Sequence, residues 1–423
     1  MTLLLAVLLG GLILGLLALR QSLLVILLLV SAFIHLAWGR GHLEDILEDM
    51  WIGIDKEIIL AIPMFLLCGE VMTRGSSVKR LMRIMAALTR PLPGGLAVAC
   101  VLSCAVFASI SGSSVVTMLA VGTVMVPSML AAGYDRRFTL GAVMAGGTLG
   151  IIIPPTIPLL IYGFITQTSV TDLFLAGVGP GLLLALVLAA YAVWANRHMA
   201  AEPWDATEIL ASLRSGLWAA LMPVILLGGI YTGWFSATEA ATVALAYALL
   251  VETLIHRELR WPALHALLLD TARLCGVLLP LVAVALGIGI FLAEYQLASV
   301  LVGWLQGWIV SPWSFLLLVN LLLLAVGCVM GTIEAIFIFA PLLAPMAQAY
   351  GVDPVLFGLI MILNLEIGYL TPPVGLNLIV AMSAFKQPFG ELCRAAIPFI
   401  LLMMGCLALV IWQPWIAMGL VQR

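Results

Sequence analysis

Apolar residues run along this chain in long unbroken stretches, without the period of two expected of strands. Stretches near 2–19, 22–38, 57–73, 138–168 and 173–195 are each about long enough to cross a bilayer as a helix. The same pattern recurs near 220–237, 240–256, 275–291, 356–386 and 391–413. The recurrence has a fixed offset. Pro127, Gly133, Asp135, Gly150, Pro154 and Pro155 are followed 218 positions later by Pro345, Gly351, Asp353, Gly368, Pro372 and Pro373. Shorter amphipathic segments near 43–54 and 76–89 match others near 261–272 and 294–307, and all four suit helices lying along a membrane interface.

Two stretches break the simple pattern. Residues 92–132 are apolar on both flanks, but their centre reads Ser109-Ile-Ser-Gly-Ser-Ser114. Residues 312–350 share that form, with Gly327, Gly331, Thr332 and Glu334 in the centre. Each reads as a re-entrant hairpin with a tip of small polar residues, because irregular backbone at depth survives only where protein or a cavity surrounds it. The plainer alternative is two kinked spans joined by a loop. The fold class expected is therefore an all-α polytopic membrane protein of two repeats, 1–216 and 217–423, each with a hairpin and a Pro-Pro-broken helix.

Charge sets the orientation. Five crossings per half, an odd number, make the halves inverted. With the N-terminus outside, fifteen of the eighteen Lys and Arg residues fall on the cytoplasmic side, and only Arg40, Lys56 and Arg423 fall outside. The hairpin and two-span alternatives give the loops the same sides, so charge does not separate them.

Composition narrows the function. The chain is 64% hydrophobic and 9% charged, with a mean hydropathy of +1.21, so most of it belongs in lipid. A net charge of −3 and the lack of a basic stripe argue against nucleic acid. Cys100 and Cys104 stand one helical turn apart without a third ligand, so they read as packing residues and no transition metal is expected. No GxxxxGK[ST], GxSxG or HExxH sequence occurs, which argues against an ATPase and against an enzyme. The leading run, Leu3 to Leu19, lacks a basic flank before it and is expected to be a retained membrane helix.

Chemistry concentrates at the breaks. Proline removes a backbone donor and clashes with the preceding turn, so each helix unwinds at its proline pair. Unwinding frees carbonyls before the break and amides after it, which suits a hard cation and a carboxylate respectively. One sodium site is expected from Ser111, Gly112, Ser113, Ser114 and the break from Gly150 through Pro154 to Thr156. A second is expected from Gly331, Thr332, Gly368, Thr371 and Pro372. The competing reading is close helix packing by small residues. Glu334 and Glu366 are the deepest carboxylates and, with Asn377, are candidates for substrate binding or coupling. Glu334 also reads as a helix-start carboxylate. Ser236-Ala-Thr-Glu239, Ser169, Asp135 and Asp353 read as helix caps.

The runs SGSSVVTMLAVGTVMVP, GGTLGIIIPPTIPLLIYG, TEAATVALAYAL and GLIMILNLEIGYLTPPVGLNL resemble the large membrane subunit of tripartite ATP-independent periplasmic (TRAP) transporters, over almost the whole chain. The resemblance implies an elevator-type sodium symporter in the inner membrane. It would work with a small membrane subunit, expected as a separate polypeptide, and a periplasmic protein that captures a carboxylate. No cofactor is implied beyond Na+ as coupling ion. Scaffold helices would lie near 1–56 and 217–272 and interface arms at 76–89 and 294–307. The mobile body would comprise hairpins 92–132 and 312–350 and broken helices 138–168 and 355–386. Glu366 departs from the small or apolar residue expected at its position and adds a carboxylate to the second ion site. A self-sufficient sodium/divalent-anion symporter is the alternative.

Overall fold

A computed structural model describes residues 21–38, 44–295 and 311–421, with isolated positions among 5–19 and 302–309. The first apolar run (2–19) therefore lies half outside the described residues, and the second interface arm (294–307) lies largely outside them. Among those described, all regular structure is helical. Among the described residues, eight helical segments are long and apolar enough to cross a membrane.

The fully described elements begin with α1 (Leu23–Ala37), α2 (Asp45–Ile54), α3 (Ala61–Arg74) and α4 (Ser77–Thr89). Next come α5 (Gly95–Ser111) and α6 (Ser114–Ala131), joined by a two-residue tip, and α7 (Arg136–Ile152) and α8 (Ile157–Ile165), joined by the first proline break. α9 (Val170–Ala195), α10 (Ala206–Tyr231), α11 (Ala237–Leu250) and α12 (Trp261–Glu294) lead into the second pair of interrupted elements. Those are α13 (Pro312–Gly327) with α14 (Thr332–Ala349), and α15 (Pro354–Tyr369) with α16 (Leu376–Phe385). α17 (Phe389–Trp412) and the short α18 (Trp415–Met418) close the chain.

Local sequence explains the boundaries. Asp135 caps α7 by accepting from the Phe138 amide at 2.9 Å, and Asp353 caps α15 by accepting from Val355 at 2.9 Å. Ser236 and Glu239 form a reciprocal capping box at the start of α11. α10 starts earlier than its apolar run suggests, because Asp205 accepts from the amides of Thr207 and Glu208 at 3.0 and 3.3 Å. It stops at Tyr231, just before Gly233 takes a left-handed φ of +73°. The 216/217 boundary consequently falls inside α10 rather than between elements. A second difference concerns 261–272 and 275–291, read as an interface segment and a separate span. They form one helix, α12, since neither glycine nor proline separates them and Pro280 is accommodated inside it.

Two helices form the centre. Every residue of α7 from Thr139 onward is buried, and so is α15 from Val355 to Tyr369. A helix apolar on all sides requires neighbours on all sides. α5, α6 and α17 pack on α7, while α13, α14 and α17 pack on α15. Glycine lets α7 approach closely: a Cβ on Gly150 would stand 2.8 Å from the Ser113 carbonyl carbon. α10 and α11 form a more exposed layer, with Trp204, Trp218 and Trp234 at its surface. α4 packs on α5 and α10.

Candidate functional site

Each polar tip meets a helix break. At the first, Gly112 takes a left-handed φ of +58° and ends α5, while Ser113 caps α6. A Cβ on Gly112 would stand 3.3 Å from the Pro155 carbonyl and 3.4 Å from the Thr156 Cα, so glycine is required there on two counts. Ser111 and Thr117 share a hydroxyl–hydroxyl hydrogen bond of 2.6 Å. Thr156 caps α8, accepting from Leu159 at 3.3 Å. Ser111, Gly112, Ser113, Gly150 and Thr156 thus converge on one locality, all buried except the half-buried Ser113, with Ser114 following on α6. Pro154, linked to Pro155 by a cis peptide, is buried against Gly177 of α9.

At the second break, a Cβ on Gly368 would meet backbone atoms of Gly327 at 2.5 Å and the Cys328 nitrogen at 2.9 Å. The Val374 and Gly375 amides donate to the Cys328 carbonyl at 3.2 and 3.0 Å. Thr332 heads α14 and donates its amide to the Tyr369 hydroxyl at 2.7 Å. Thr371 turns its hydroxyl back to the Ile367 carbonyl at 2.7 Å. Gly331 precedes Thr332 directly, and Pro372 follows Thr371 in a second cis Pro-Pro pair. The two breaks differ in access: Pro154 and Pro155 are buried, whereas Pro372 and Pro373 are exposed.

The carboxylates separate. Glu334 occupies the first turn of α14, half-buried and folded back over Gly331. Glu366 is fully buried and accepts from the Thr332 hydroxyl at 3.1 Å. Asn377, buried at the start of α16, donates to the Ser114 hydroxyl at 2.7 Å. The first tip is therefore tied to the second broken helix as well as to its own. Neither Tyr369 nor Thr117 was singled out from the sequence; Tyr369 joins Thr332 and Glu366, and Thr117 joins Ser111 at the first tip. Tyr369 sits beside the Gly368 break, which was the one available signal for it.

A cleft of about 670 Å³ lies between α2 and α12 on one side and α8, α14 and the start of α15 on the other. Lys56 reaches across its edge to the Gln167 side-chain oxygen at 2.8 Å.

Long apolar helices wrapped round two interrupted central ones define a polytopic helical membrane protein. The family model described as "Tripartite ATP-independent periplasmic transporter, DctM component" matches residues 2–416, and the chain belongs to that family. It is a multi-pass transporter permease component, not an enzyme. The C4-dicarboxylate TRAP transporter large permease protein of Pseudomonas aeruginosa is 41% identical over 365 residues, covering 86% of each chain. The ectoine/5-hydroxyectoine TRAP transporter large permease protein of Ruegeria pomeroyi is 34% identical over 406 residues, covering 93% of each. Among solved structures, the YdaH transporter of Alcanivorax borkumensis superposes with a TM-score of 0.64 at 17% identity, over 90% of each chain, a likeness of fold.

Proposed function

We propose that this chain is the sodium-coupled permease of a tripartite uptake system for a small organic carboxylate. The observation that carries the reading is the contact of each polar tip with a helix break, at Gly112 on Pro155–Thr156 and at Gly327–Cys328 on Gly368. Carbonyls, hydroxyls and helix ends gather there, the donor set that discontinuous helices offer to sodium. No lysine or arginine is among the tip and break residues, so an anion there relies on amides, hydroxyls and bound sodium for its charge. The relative from Pseudomonas aeruginosa is named for C4-dicarboxylates and the one from Ruegeria pomeroyi for ectoine. A small carboxylate is their common chemistry, and a C4-dicarboxylate is the first substrate to try.

The fold supports the rest. α5–α6 and α13–α14 act as hairpins, α7–α8 and α15–α16 as broken helices, in two inverted repeats. The first tip touches a break in the interior of the 30-residue span Arg136–Ile165, as a re-entrant tip would, while the return arms α6 and α14 are themselves long enough to cross. These elements move together as an elevator against a scaffold of α1–α3 and α10–α12, with α4 as an interface arm. The cleft between α2, α12, α8 and α14 opens on that boundary. The buried first break and exposed second break match a state open to one side only. The N-terminus is periplasmic, a periplasmic binding protein delivers substrate, and a small membrane subunit completes the permease in the inner membrane.

The test is uptake of a labelled carboxylate panel into proteoliposomes holding this chain and its small subunit, with and without the periplasmic protein and an inward sodium gradient. Uptake that needs both supports the proposal. Sodium-driven uptake without the soluble protein would favour a self-sufficient symporter.

A further inference from the structure

Glu366 lies at the heart of the molecule with no solvent exposure. Its Oε1 accepts from the Thr332 hydroxyl at 3.1 Å, and its Oε2 has no hydrogen-bond partner among the described residues. Asn377 repeats the situation. Its Nδ2 donates to the Ser114 Oγ at 2.7 Å, and its Oδ1 is buried without a partner among the described residues. The Ser114 hydroxyl also faces the Glu366 carboxylate. Among the described residues, no cationic side chain acts on that carboxylate.

Buried polar oxygens are ordinarily satisfied, and buried carboxylates are ordinarily paired or bound to a metal ion. Here two orphaned oxygens belong to side chains that share the partner Ser114, and one of them belongs to a carboxyl group. A bound cation is a partner that would satisfy both oxygens and hold that group as the carboxylate. Ser114, Thr332, Glu366 and Asn377 come from four different helices, α6, α14, α15 and α16, and all offer oxygen. Hard oxygen donors exclude the soft transition metals, and a single carboxylate is a poor match for a divalent ion, which gathers several.

We propose that these four residues form a further sodium site, shared by the two halves of the chain and lying between the two tip-and-break sites. The proposal rests on the sodium-coupled reading above. Its consequence is mechanical: an ion here ties the start of each hairpin's return arm, Ser114 and Thr332, to the second broken helix. Emptying it releases both tips at once.

Equilibrium binding of ²²Na⁺ to the purified full chain with its small subunit tests the site. Glu366→Gln keeps the shape and removes the charge, and is expected to bind one sodium fewer per chain than the parent. An unchanged sodium count overturns the proposal. Loss of a pH dependence of uptake at an unchanged sodium count also overturns it, and assigns the charge on Glu366 to a proton instead. Absence of sodium binding by the parent chain sinks the sodium-coupled reading itself, so the two failures are distinguishable. Where Glu366→Gln does not fold, Asn377→Ala makes the same test, with one sodium weakened at least tenfold while the others remain.

Discussion

Asn377 donates its side-chain N–H to the hydroxyl of Ser114 at 2.7 Å, joining residues 263 positions apart. Both are fully buried. The contact couples the first tip to the second broken helix, so the two interrupted elements form one polar centre. A double-mutant cycle of Ser114→Ala and Asn377→Ala should give a coupling energy of about 0.5–3 kcal/mol in reversible unfolding. Strict additivity would mean that the two elements are energetically independent.

Gly150 and Gly368 hold the closest tip-to-break approaches. Alanine at either position must displace backbone, since the nearest atoms belong to Ser113 and to Gly327–Cys328. Each change should cost about 1–3 kcal/mol of stability and abolish uptake. Gly390→Ala is the control, because its Cβ would meet nothing within 4 Å. Thermal unfolding of the three variants checks this, and equal loss in all three would count against it.

Glu252 is a buried carboxylate with a structural task. It lies in a wide helical turn at Val251–Ile255, after α11, and accepts from the amides of Ser76 and Ser77 at 3.2 Å each and from the Ser77 hydroxyl. A negative charge at a helix N-terminus satisfies free amides and complements the dipole, so Glu252 anchors α4 to the layer built by α11. Glu252→Ala should destabilise the protein by about 1.5–3 kcal/mol, and Ser77→Ala by less. The ranking is read from melting temperatures, and the reverse order would contradict the anchoring role.

Lys56 and Gln167 face each other across the boundary between the proposed scaffold and moving body. Lys56→Cys with Gln167→Cys, in a background free of native cysteines, allows a reducible bifunctional thiol reagent to bridge them. Bridging should arrest uptake and reduction should restore it. Full transport by the bridged protein would exclude relative movement of these parts.

Much of this architecture is written locally. The proline pairs at 154–155 and 372–373, the tips near Gly112 and Gly331 and the caps Asp135 and Asp353 act on their own backbone, so sequence exposes them directly. The continuity of α12 was hidden because amphipathic residues at 261–272 suggest an interface while nothing there breaks a helix. The Ser114–Asn377 contact was hidden for another reason. A repeat aligns each tip with its own break but is silent about contacts between repeats, which depend on how α6 and α16 pack. Glu252 was unreadable likewise, since its partners are Ser76 and Ser77 from a distant segment.

Coupling between sodium and substrate is the centre of the account, and the reversal point of transport measures it most directly. Proteoliposomes holding the complete system are loaded with substrate, and the sodium gradient is varied at a fixed substrate gradient until net flux vanishes. The account predicts that the reversal point moves steadily with the sodium gradient. A reversal point set by substrate alone, indifferent to sodium, would contradict it.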